Sequence, residues 1–233
     1  MENINFELAY KSSIPSFNGD GEKVKKFLLG IMKNFAVESF NFYEEWNEFP
    51  FVYGEKQVCS ALIPAIYNDT KTIWLEQPFK SQNSNQRFLD IVTSKKDHIY
   101  FIELKHAYHS KTKDLSERAL DEWDTAIRQI ESIKQETIGD FYEDIYKKFK
   151  IAFMIMPHFL MYKGELQRDS LQVYNEDIVK LFNDSERLEE YGYANFVGTI
   201  EIKEYQHYVH EFEKGKRKEV YPFVSFIARV ERV

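Results

Sequence analysis

Cysteine is almost absent from this 233-residue chain: Cys59 stands alone, so no disulfide can close within it. A single thiol in an apolar run fits a reducing compartment, and a cytoplasmic location is expected. Glycine and proline are scarce, no segment is of low complexity, and no repeat recurs at a period of about 20 to 50 residues, so no linker divides the sequence. Long apolar runs are also missing. The longest, Ile151 to Met156, falls far short of the ~18 residues a membrane helix needs. The opening Met1-Glu2-Asn3-Ile4-Asn5-Phe6-Glu7 lacks the basic-then-apolar order of a signal peptide, so export is not expected. Positive charge is in deficit as well, with 31 Lys and Arg against 38 Asp and Glu, a net −7. A broad phosphate-coating surface normally leaves a basic footprint, so a partner of that kind is disfavoured.

What remains suits one domain, residues 1–233: an N-terminal helical extension (1–53), a core (54–157) and C-terminal strands (158–233). Val24, Phe27, Leu28, Ile31, Phe35 and Val37 recur at helical spacing from Gly21 to about Phe40. A second helix is expected over Glu55 to Tyr67, with Pro64 ending or kinking it. Strands follow at Thr72–Phe79, Arg87–Thr93 and Ile99–Lys105, then a helix over Glu117–Gln135 and a buried strand at Lys150–Pro157. Phe196–Val209 and Glu219–Val230 read as a hairpin around Lys214-Gly215-Lys216-Arg217-Lys218. The periodic patterns around Trp74 and Trp123 assign both indoles to the core.

Alternation along the third strand puts Glu103 and Lys105 on one face with Ile99 and Phe101. If Lys96-Asp97 is a two-residue hairpin loop, cross-strand partners have residue numbers summing to 193, and Asp90 lies opposite Glu103. Facing carboxylates destabilise a sheet unless something compensates. A hard cation such as Mg²⁺, which takes oxygen ligands, would do so, and Lys105 beside it could position a water.

Asp90, twelve intervening residues and Glu103-Leu104-Lys105, with a helix upstream and a helix and strand downstream, resemble the PD-(D/E)xK nuclease superfamily over roughly Gly54 to Pro157. The resemblance implies an α/β fold with a restriction-endonuclease-like core of order α-β-β-β-α-β, its mixed sheet flanked by helices. It also implies a Mg²⁺-dependent nuclease, Mn²⁺ able to substitute, cleaving DNA in preference to RNA. Asp90, Glu103 and the Leu104 carbonyl would hold the metal and Lys105 would orient the water. Glu55 would match the ligand many members carry on the first core helix, and Gln129 a glutamine of the following helix. Phe88-Leu89 precede Asp90 where the family's name-giving proline would stand.

A second Glu-x-Lys, Glu201-Ile202-Lys203, has no Asp on a preceding strand and reads as a solvated strand face. His106, His109 and Glu76 read as incidental. The basic tip Lys214, Lys216, Arg217 and Lys218 is a candidate phosphate grip. From Phe79 to Lys113 seven basic residues stand against three acidic ones, so the region of the candidate site is locally positive within an acidic chain. The alternative function is a catalytically inactive nuclease-like protein that binds or regulates; an RNA substrate is a third. A homodimer would suit cleavage of both strands of a symmetric site.

Overall fold

The computed structural model describes residues 6–80, 86–110, 114–133, 146–162, 170–183, 186–189, 192–203, 208–212 and 217–233. Among these, nine strands form one mixed sheet flanked by helices on both faces. In chain order the elements are β1 (Phe6–Ser12), α1 (Gly21–Trp46), α2 (Glu55–Thr70), β2 (Ile73–Lys80), β3 (Gln86–Lys95) and β4 (His98–His106). Then come β5 (His109–Ser110), α3 (Glu117–Glu131), β6 (Lys147–Met161), α4 (Leu171–Asn183), β7 (Phe196–Ile202), β8 (His210–Phe212) and β9 (Arg217–Arg232).

The sheet order is β1-β7-β9-β6-β4-β3-β2, with β5 paired to β6 and β8 to β9. β4 and β6 run parallel, as a strand–helix–strand crossover requires, while β2, β3 and β4 form an antiparallel meander. Side-chain alternation on β4 divides the core. Tyr100, Ile102 and Leu104 pack with α1 and α2, whereas Ile99 and Phe101 pack with α3 and α4. Stacking of Phe27 on Tyr100, with centroids 3.9 Å apart, ties α1 to the first face. Trp123 of α3 is fully buried on the second, its indole N–H donating to the Gly192 carbonyl at 2.9 Å.

Several expectations need revision. Pro64 does not end α2, which continues to Thr70. Its missing N–H costs one turn's bond, but Val58, Ala61, Leu62, Ala65 and Ile66 on either side are buried and hold the helix down. β1, α4 and the short β5 and β8 were not anticipated. β1 alternates Phe6, Leu8 and Tyr10 with Glu7 and Lys11 and pairs with β7; α4 buries Leu171, Tyr174, Ile178 and Phe182 along one stripe. The C-terminal hairpin is interrupted: β7 pairs with the inner part of β9, from Phe196↔Ala228 to Glu201↔Phe223, while the short β8 pairs with its start. Trp74 is half exposed rather than buried, because β2 is the edge strand and its outer face has no helix over it. No helix among the described residues is long and apolar enough to cross a membrane.

Candidate active site

The site grows out of a break in the sheet at Asp90. β3 and β4 pair in the expected register from Lys95↔His98 to Ile91↔Ile102, and the ladder stops one pair before Asp90 and Glu103. On the other side the β2 ladder passes from Leu75↔Ile91 to Gln77↔Leu89, skipping Glu76 and Asp90. Glu76 has φ 49°, in the left-handed region, a conformation that costs a non-glycine residue on the order of 1 kcal/mol or more. The Asp90 carboxylate takes over the role of the lost main-chain acceptor: Oδ2 accepts the Leu104 N–H at 2.8 Å.

Lys105 Nζ lies among three oxygens of this group. It donates to Glu103 Oε1 at 2.8 Å and to the Leu104 carbonyl at 2.9 Å, and stands 3.8 Å from Asp90 Oδ2. Glu103 is 2% exposed. Burial, reinforced by Asp90 and partly offset by Lys105, pushes its carboxyl up to about 7. For Lys105, burial works against the charged form, but Glu103, Asp90 and Glu55 together outweigh it and raise the ammonium above its ordinary value. Glu55, the first residue of α2, is raised by burial; Asp90 and Glu122 add to this, while Lys105 and the His106 N–H pull the other way. These residues therefore share one electrostatic cluster, formed where β3, β4, α2 and α3 meet.

The cluster borders a cleft of about 380 Å³ lined by Glu55, Lys105, His106, Tyr108, Arg118 and Glu122, among others. The chemistry of the cluster suits a hard cation, since the three groups converging on the Lys105 ammonium, Glu103, the Leu104 carbonyl and Asp90, all present oxygen. Among the described residues, no three His, Cys, Asp or Glu side chains form a ready-made metal cage. The third oxygen is a main-chain carbonyl, and Lys105 has to swing aside for a metal to take its position. With that movement, Asp90, Glu103 and the Leu104 carbonyl fit Mg²⁺, with Glu55 at the rim.

The other candidates fall elsewhere. Gln129 lies on α3 seven residues beyond Glu122, with its side-chain oxygen buried and without a partner, and it does not line the cleft. At ~1.5 Å rise per residue that is about 10 Å farther along the helix. Arg217 pairs with Glu219 at 2.9 Å and stacks on Phe212, and Lys218 pairs with Glu211 at 2.5 Å, so both charges are already matched within β8 and β9. Lys214 and Lys216 lie outside the described residues. His106 is buried and its ring bonds the Phe51 carbonyl; burial lowers its pKa to about 4. His109 is lowered to about 4 by burial too, and packs edge-on against His158. Lys203 pairs with Glu201 and with Glu7 across β7 and β1, so the second Glu-x-Lys ties an edge strand to its neighbour.

Arg118, Glu122 and Tyr108 line the cleft although the sequence reading passed over them. Arg118 and Glu122 are four residues apart on the polar side of α3, a spacing that marks one helix face. Neither a family model, nor a curated protein, nor a solved structure is matched by this chain.

Proposed function

We propose that this protein is a Mg²⁺-dependent nuclease of the PD-(D/E)xK type that hydrolyses phosphodiester bonds in nucleic acid, DNA in preference to RNA. The carrying observation is the convergence of Glu103 Oε1, the Leu104 carbonyl and Asp90 Oδ2 on a single cationic position beside an open cleft. The order helix, three strands, helix, strand from α2 to β6, with β4 and β6 parallel, agrees with a restriction-endonuclease-like core.

Bound Mg²⁺, or Mn²⁺ in its place, would polarise the phosphate and offset charge developing on its oxygens. Asp90 and Glu103 supply the anionic ligands, and their position at the rupture of the β3–β4 ladder leaves the Leu104 carbonyl free to join them. A cation held here would favour the ionised form of Glu103, whose carboxyl is raised to about 7 by burial and then by Asp90. Lys105, if displaced from Glu103, would donate from its ammonium to the attacking water and face the negative charge on the phosphate. Glu55 and Glu122 share the cleft wall with Lys105 and Arg118, so two acids and two bases face the space a substrate would enter.

The test is cleavage of single- and double-stranded DNA with Mg²⁺ or Mn²⁺ by the wild type, Asp90→Ala and Lys105→Ala. Metal-dependent cleavage by the wild type, slowed roughly 100-fold or more in each variant, supports the reading. Equal activity in all three, or none in the wild type with either metal, refutes it. A second reading, a nuclease-like protein that binds without cleaving, draws on Lys105 already filling the cation position with two short bonds. Absence of Mn²⁺ binding by calorimetry, together with a stoichiometric co-purifying partner, would decide for it.

A further inference from the structure

A second cleft, of about 250 Å³, adjoins the candidate active site and shares two residues with it, Tyr108 and Arg118. Its other walls include His109, Ser116 and Phe159. Arg118 therefore stands between the two spaces. It sits in the first turn of α3 and is exposed. Arg128, Arg217 and Arg229 each pair with a carboxylate, whereas Arg118 has no such partner among the described residues. With Tyr108, it lines both clefts, and its charge opposes protonation of His106.

A guanidinium in no ion pair among the described residues, set between the acidic cluster and a pocket lined by Tyr108, His109 and Phe159, suits a phosphodiester chain better than a small acid. In this arrangement one phosphate would meet the cluster, the adjacent phosphate Arg118, and the base that follows the cleft lined by Tyr108, His109 and Phe159. At about 250 Å³ the second cleft lies below the ~300–1,000 Å³ of ordinary small-molecule pockets, a size that suits one nucleoside better than a base pair. We propose that Arg118 clamps the phosphate next to the scissile one and that the second cleft receives an unpaired nucleotide, so that the substrate is a single strand or a frayed end. This rests on the nuclease reading and narrows its substrate.

The experiment measures binding of a labelled single-stranded oligonucleotide in EDTA over a range of KCl concentrations, for the wild type, Arg118→Ala and Arg118→Lys, and steady-state cleavage with Mn²⁺ alongside. Arg118→Ala is expected to weaken binding about tenfold and to lower the slope of log affinity against log salt by about 0.7, the value for one phosphate contact on a single strand. It should raise KM about tenfold with kcat little changed, and Arg118→Lys should keep the slope. A blunt duplex of the same sequence should bind and be cleaved at least tenfold less well. Unchanged affinity and slope in Arg118→Ala, or a blunt duplex handled as well as the single strand, overturns the inference. In either case metal-dependent cleavage that disappears in Asp90→Ala leaves the nuclease reading standing. A wild type that cleaves no form of DNA with either metal overturns both.

Discussion

Replacing Glu103 by Gln should stabilise the metal-free protein, by an amount that grows with pH. The wild-type carboxyl is 2% exposed and titrates at about 7 instead of 4.5, burial being the main cause, then Asp90, with Lys105 opposing. Between these two values the folded state holds a proton that the unfolded state has released. Wild-type stability therefore falls as pH rises through this window, at up to about 1.4 kcal/mol per pH unit. Over the whole window the loss is roughly 3 kcal/mol, most of it between pH 5 and pH 8. Glutamine carries no such titration, and Lys105 keeps the Leu104 carbonyl and Asp90 as neighbours. The stability difference between Glu103→Gln and wild type should thus widen by roughly 2–3 kcal/mol from pH 5 to pH 8, or about 5–10 °C in Tm for a chain of this size. Urea unfolding in EDTA, followed by tryptophan fluorescence at four pH values, measures it. A difference that does not change with pH, or a variant less stable than wild type at pH 8, would refute the reasoning.

Asp90→Asn keeps an oxygen for the Leu104 N–H and should unfold within about 0.5 kcal/mol of wild type, whereas Asp90→Ala strands that N–H and should lose about 1 kcal/mol; chemical denaturation separates them, and both should lose metal-dependent cleavage. His109 titrates at about 4 and the wholly buried His158 is also lowered by burial, so both stay neutral when folded and take up protons on unfolding near pH 6.5. Stability is lost as pH falls below that value, and His109→Asn should flatten the acid limb relative to wild type between pH 6.5 and 4.5. Cys59, one turn from Glu55 on α2, has its thiol raised by burial, then Glu55 and Asp90. Alkylation at pH 7.5 should be at least tenfold slower than for an unhindered thiol and should quicken when Mn²⁺ offsets the two carboxylates.

The β3–β4 register was legible from the sequence because a two-residue loop leaves only one pairing sum, and alternation then assigned Glu103 and Lys105 to the same face as Ile99 and Phe101. The chain order from α2 to β6 was legible because the helices carry a 3.6 period and the strands are short apolar runs bounded by polar turns. Its limits lay in tertiary geometry. The rupture of the ladder at Asp90, with Glu76 at positive φ, leaves no mark in composition. Arg118, Glu122 and Gln129 belong to one polar stripe of α3, and which turn of that stripe meets the cleft depends on where the helix crosses the sheet. The pairing of Lys218 with Glu211 follows from the β8–β9 register, and the longer loop between those strands leaves that register unspecified by spacing alone. Trp74 misled because its apolar neighbours resemble a core strand, and only the sheet order reveals β2 as an edge.

In the proposed site, Asp90, Glu103 and the Leu104 carbonyl hold a cation at the position Lys105 occupies until a metal displaces it. Anomalous diffraction from a crystal soaked in Mn²⁺ tests this most directly. The account predicts a peak bounded by Asp90 Oδ2, Glu103 Oε1 and the Leu104 carbonyl, with the Lys105 ammonium moved off Glu103. Lys105 still bonded to Glu103 at saturating Mn²⁺, with no peak at that position, would contradict it.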